Sequence, residues 1–185
     1  MMNGHHLFTS AVSSWIQITN SPRLASEVTI RYDPGQQGLT TQKIKSKQMI
    51  RNAVAVMTGY IVGSVINMAL IQLNMQKLYP PAEGIDVSDP AQFNSYIATL
   101  PGAAFLVILA AHLAQSFVGA WIAARLGTSH TMILAMSIGV LSLAGGIMAM
   151  TMIEGPAWLM IELPLYLVVA WAAGNIELKR RATLT

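Results

Sequence analysis

The sequence predicts an all-α fold: a four-helix transmembrane bundle with a short interfacial helix in its outer loop and a disordered N-terminal segment. Three observations lead there. Of 185 residues, 54% are hydrophobic and only 10% are charged, whereas soluble domains carry about a quarter charged residues. The stretches Asn52–Gln76, Pro90–Ala124 and Leu126–Ile153 contain no Lys, Arg, Asp or Glu, and Gly155–Ile176 contains only Glu162. Each exceeds or matches the roughly 20 residues that a helix needs to cross a bilayer core.

Residues 1–48 stand apart. They are polar, punctuated by Pro22, Pro34 and Gly35, and show no sustained period. The charged start and apolar run of a signal peptide are missing. This segment is expected to be mostly disordered, with a short strand-like piece around Val28–Tyr32. Alternatively, Met49 is the natural start and the preceding stretch an upstream-translated extension, because MIRNAVAVMTGYIVG reads well as the beginning of a membrane protein. The 49–185 portion is the transmembrane domain.

The first span is placed at about 53–75. A long acidic loop follows, KLYPPAEGIDVSDPAQFNSYIATLPG. Ser88 or Asp89 can cap a short helix there, with Pro90 in its first turn. Phe93, Ile97 and Leu100, beside Tyr96, give that helix an apolar stripe suited to a membrane interface. Pro101 and Gly102 turn the chain into the second span, about 101–124. The third is placed at about 131–153 and the fourth at about 157–176. The tight Glu154-Gly155-Pro156 turn predicts that these last two pair as an antiparallel hairpin.

Orientation follows from basic residues. Lys43, Lys45, Lys47 and Arg51 precede the first span, Arg125 lies between the second and third, and Lys179, Arg180 and Arg181 follow the fourth. With four crossings they share one side, predicted to be cytoplasmic together with both termini. The isoelectric point near 9.4 is then a topology and lipid-headgroup signal, with the bilayer as partner, and gives no reason to invoke nucleic acid.

Polar residues inside the spans are the candidates for function. Gly59, Gly63 and Asn67 fall on one face of the first span. His112, Gln115 and Gly119 share a face of the second, and Gly146 follows Ser142 in the third. Glu162 and Tyr166 lie one turn apart in the fourth, with Pro164 between them. Gly59, Gly63, Gly119 and Gly146 read as helix-packing positions, where a missing side chain lets another helix approach. Pro164 cannot donate to the carbonyl of Met160, so a bend is expected beside Glu162. At 1.5 Å rise per residue, His112 lies roughly 16 Å, Asn67 roughly 12 Å and Glu162 roughly 9 Å below the outer surface. A lone carboxylate facing lipid costs several kcal/mol, so Glu162 should face the bundle, satisfied by His112 directly or through Asn67. Asn67, His112, Gln115, Glu162 and Tyr166 thus form the expected intramembrane polar cluster.

Such a cluster reads in two ways: a buried clamp that sets which helix faces touch, or a proton or ion relay. The clamp is the simpler, since one histidine and one acid do not describe a pathway. Haem held by two histidines would need a second intramembrane histidine. The twelve methionines include Met148, Met150 and Met152, whose alternate spacing does not share a helix face, so they favour apolar gap-filling over copper transfer. His5 and His6 read as an incidental pair. The absence of cysteine excludes disulfides and thiolate metal sites. No nucleotide-binding, zinc-hydrolase or serine-nucleophile motif is present, and Glu83, Asp86 and Asp89 lack the spacing of a calcium loop. No catalytic residue, metal or cofactor is expected.

From about Met49 onward the chain resembles a group of uncharacterised bacterial integral membrane proteins with four spans. The likeness rests on GSVINMAL, LYPPAEGIDVSDPAQFNSYIATLP, AHLAQSFVGAWIAARLG and the W-x-x-x-E-L-P-L-Y stretch from Trp158 to Tyr166. It implies a four-span fold in an inner membrane and brings no activity. The expected function is accordingly non-enzymatic: a structural or assembly component acting through helix contacts, with itself or with another membrane protein. The alternative is a small transporter or channel that uses the His–Glu pair; a continuous water-accessible cavity reaching Glu162 would favour it, and a dry, closed interior would favour assembly.

Overall fold

The chain's apolar runs become helices because a helix satisfies every backbone N–H and C=O within itself, the requirement that a bilayer interior imposes. The structure, a computed structural model, describes residues 34–184, with side chains from residue 42. The strand-like piece at Val28–Tyr32 and the His5–His6 pair lie outside the described residues. The α-helices are α1 (Pro34–Leu73), α2 (Pro90–Thr99), α3 (Gly102–Leu126), α4 (Thr131–Met152) and α5 (Glu162–Ala182). A π-helical turn, Asn74–Leu78, extends α1, and a 3₁₀ turn, Ala157–Ile161, leads into α5. No strand occurs among the described residues. Gln42–Leu78, Gly102–Leu126, Thr131–Met152 and Ala157–Ala182 are each long and apolar enough to cross a membrane. The protein is a multi-pass membrane protein with an all-α bundle fold.

Two boundaries depart from the sequence expectation. The first helix starts at Pro34, so residues 34–48, expected to be disordered, are helical. Pro34 occupies the one helical position where a missing N–H costs nothing, and Gln, Lys and Thr then continue the turn without any apolar periodicity to announce it. At the other end of the chain, the helical run changes type just before Pro164. The 3₁₀ turn ends and α5 begins at Glu162, which places Pro164 in the first turn of α5, where prolines are tolerated.

Residues Lys43–Thr185 form one compact unit. Within it α4 packs along α5 as the expected hairpin, and α3 lies against both. Their shared core consists mostly of alanine: Ala120, Ala123, Ala124, Ala135, Ala170 and Ala173 are fully buried, with Ile138 and Leu134 filling the remaining space. Small side chains let helix axes approach closely, which is what holds helices together where lipid removes the hydrophobic drive. On α4, a Cβ at Gly139 would meet the Ala170 methyl at 2.8 Å, and one at Gly146 would meet the Tyr166 ring at 2.7 Å. α1 joins through Gly59 and Gly63, which lie against the main chain of Gly119 and Gln115 on α3.

The two ends of the bundle are finished differently. At the basic end, Asn52 accepts from the backbone and hydroxyl of Thr128 and donates to Ser129, all within 3.2 Å. These bonds hold the short connection between α3 and α4, where His130 takes a left-handed conformation. At the loop end, Asp89 caps α2 by accepting from the N–H groups of Ala91 and Gln92, with Pro90 next in the chain as expected. The apolar stripe of α2 turns inward: Tyr96 and Ile97 are buried with Phe105, against Met75, Leu100 and Leu159. α2 therefore covers the loop end of the bundle.

Candidate functional site

Under α2 lies a cavity of about 320 Å³. α1 contributes Ile71, and its π-helical extension adds Asn74 and Met75. α2 adds Phe93, Tyr96 and Ile97; α3 adds Phe105, Ile108 and His112. Ala149 and Ile153 come from α4 and its end, and Leu159 and Glu162 from the chain entering α5. Its wall is apolar and aromatic except at His112, Glu162, Asn74 and the Tyr96 hydroxyl. Ligand pockets are commonly built this way, with a few polar groups set in an apolar lining, and volumes begin at about 300 Å³.

The polar floor has a definite geometry. His112 Nδ1 lies 2.8 Å from Glu162 Oε2. The His112 side chain is 20% exposed and that of Glu162 only 2%. Glu162 sits in the first turn of α5, directly after the 3₁₀ turn. A carboxylate beside Nδ1 accepts the N–H there, and in the neutral ring that tautomer leaves a lone pair on Nε2. Nε2 has no protein partner among the described residues. Tyr166 lies one turn further along α5, its ring centroid 6.4 Å from that of His112, and its main-chain carbonyl accepts from the buried Ser116 hydroxyl at 3.1 Å.

The expected cluster is thus brought together only in part. His112 and Glu162 meet directly, with Tyr166 beside them. Asn67 does not mediate: its amide oxygen is buried without a hydrogen-bond partner. The Gln115 side chain also finds no hydrogen-bond partner among the described residues, and the carbonyl and Cγ of this residue form the surface against which Gly63 packs. α1 meets α3 along the Gly59–Gly63 face, and Asn67, one further turn along that face, makes no bond to either member of the pair.

Three polar residues outside that cluster prove structurally prominent. Asn74 is 1% exposed; its Nδ2 donates to the Ala104 carbonyl at 3.3 Å, while Oδ1 has no partner. At the basic end, Glu177 is fully buried and accepts from Arg180 Nε and Nη2 and from Arg181 Nε. Arg181 Nη2 in turn donates to the carbonyls of Ala124 and Gly127 at 2.6 and 2.8 Å, satisfying the open C-terminal end of α3. Arg125 stacks over Trp121 with its guanidinium 5.5 Å from the ring. The local signal for Glu177 was its i+3 and i+4 spacing to two arginines.

Among the described residues no group of three or more His, Cys, Asp or Glu is placed to hold a metal ion. No family model, curated protein or solved structure matches the chain.

Proposed function

We propose that the protein is a membrane-embedded binding protein for a small, largely apolar molecule, held under α2 with the His112–Glu162 pair as its polar anchor. The single observation that carries this reading is the cavity itself. A polar pair that served only to register helices would be closed over by packing, as the alanine core is, whereas this pair lines a cavity of about 320 Å³. Burial of a ligand against Phe105, Ile108 and Leu159 supplies affinity, and the pair supplies orientation. The reading assigns no reaction.

With the basic residues facing the cytoplasm of a bacterial inner membrane, the cavity opens towards the outer half of the bilayer. The alanine core seals the inner half, so a carrier role would require the bundle to reopen on the basic side. Assembly is the second reading. It is supported by α1, the least covered span, whose Val54, Met57, Ile61, Val65 and Met68 are exposed and offer a face to a second copy or another membrane protein.

The test is binding of naphthalene to the purified protein in detergent micelles, read by calorimetry and by melting temperature. Ala149→Trp, which fills the cavity from α4, serves as the control for micelle partitioning. Saturable binding to the wild type that the variant loses supports the reading. Equal heats and equal melting temperatures for the two proteins would overturn it and leave assembly, measured by the oligomeric state of the same preparation.

A further inference from the structure

The chemistry of the cavity wall narrows the ligand class. No Lys or Arg lines the cavity, so an anion finds no opposite charge there. The one carboxylate, Glu162, is 2% exposed and already meets His112, so a cation would have to displace the histidine. What remains unmatched are acceptors. Nε2 of His112 has no protein partner among the described residues, and the ring belongs to the wall. Asn74, 1% exposed, spends its Nδ2 on Ala104 and leaves Oδ1 buried and unpaired. A buried acceptor without a donor carries an uncompensated desolvation cost, which a donor arriving from the cavity removes.

We infer that the ligand is a neutral, ring-containing molecule bearing a hydroxyl group, with the O–H donated to His112 Nε2 and a second donor, where present, directed to Asn74 Oδ1. This rests on the binding reading above. The Glu162 carboxylate is the positioning group: by holding Nδ1–H it keeps the lone pair on Nε2 available. The volume sets the size. A cavity of about 150 Å³ accepts one benzene ring, so about 320 Å³ accommodates a two-ring compound.

Calorimetric titration with naphthalene, 2-naphthol, 2-methoxynaphthalene and 2-naphthoate distinguishes the two levels of the argument. Each affinity is corrected for partitioning with Ala149→Trp in the same micelles. The expected result is that 2-naphthol binds about tenfold tighter than 2-methoxynaphthalene, the ratio that one good hydrogen bond supplies, and that naphthoate binds weakest. His112→Phe should retain naphthalene and lose the preference for naphthol. Asn74→Leu should leave that preference intact and remove any further gain shown by 2,6-dihydroxynaphthalene. Equal binding of naphthalene, naphthol and the methyl ether would overturn the hydroxyl inference while leaving the binding reading in place. So would tightest binding of naphthoate. Failure of all four probes would overturn the binding reading and the inference together. Should His112→Phe not fold, the naphthol-to-ether ratio in the wild type decides the matter alone.

Discussion

Gly59 on α1 and Gly119 on α3 face each other main chain to main chain. A Cβ placed on Gly119 would stand 2.9 Å from the Gly59 carbonyl oxygen and 3.2 Å from Ile138 Cγ2. Neither neighbour can yield cheaply, since one is backbone and the other belongs to a fully buried side chain.

Gly119→Leu should therefore destabilise the bundle by about 1–3 kcal/mol, the usual range for overpacking, and should loosen α1 in particular. Gly145→Ala is the matched control, because nothing lies within 4 Å of its added methyl and alanine is the better helix former. Thermal melts in one detergent check both. A Gly119→Leu protein that melts with the wild type would mean that α1 does not pack on α3 at this point.

The His112–Glu162 contact should appear as a coupling energy. Interhelical hydrogen bonds in membranes contribute roughly 0.6–2 kcal/mol. The double-mutant cycle built from His112→Ala and Glu162→Gln should give a value in that range. Asn67→Ala should show no coupling to either position, since Asn67 makes no bond to them. A coupling of Asn67 comparable with that of the pair would contradict the observed arrangement.

Arg181→Lys should cost about 2 kcal/mol although charge is kept. The guanidinium donates to two α3-end carbonyls and to Glu177 at once, and a lysine ammonium cannot reproduce that planar spread of donors. Hydrogen exchange at the end of α3 and in residues 127–129 is the sensitive measurement. Exchange unchanged from wild type would show that the loop does not depend on this cap.

Asp86, exposed in the loop, should titrate visibly. The Ser88 hydroxyl and the Ser88 N–H, at 2.6 and 2.9 Å, hold its carboxyl below the usual value of 3.8. A group depressed in this way stabilises its turn above the unfolded value and loses that contribution as pH falls through the folded one. The Ser88 amide resonance should accordingly titrate with its midpoint below 3.8. A transition centred above 3.8 would show that these bonds do not form in solution.

What could be read from the residues follows from what each signal depends on. The spans rest on a local property, uncharged length, and Asp89–Pro90 is a local start signal, so all five helices were foreseeable and α1 was misjudged only where it runs polar. His112 and Glu162 were a legible pair because a carboxylate has few alternatives within a membrane. Asn67 and Gln115 were not, since lying on the right face of a helix does not decide whether a side chain finds a hydrogen-bond partner on the next one. Glu177 was hidden by its surroundings: beside Lys179, Arg180 and Arg181 it reads as one more solvated charge. Only the approach of Arg181 to the end of α3 encloses it. The cavity had no signature at all, because an unfilled volume is a property of several helices together.

The contrast between the two ends of the bundle has a mechanical side. The basic end is stitched by a dense set of directional bonds from Asn52, Glu177 and Arg181, while the opposite end combines separate bonds, from the Tyr96 hydroxyl to the Tyr79 carbonyl, from Asn74 to the Ala104 carbonyl and from the Glu154 N–H to Asn94, with apolar side chains that slide. Helices fixed in this manner behave as levers with a common fulcrum. A 25-residue helix such as α3 is roughly 37 Å long, so a tilt of about 5° at the fulcrum carries its far end through roughly 3 Å, close to the width of a methylene chain. A small tilt at the arginine-stitched end would therefore be felt most at the far end of α3, beside the cavity.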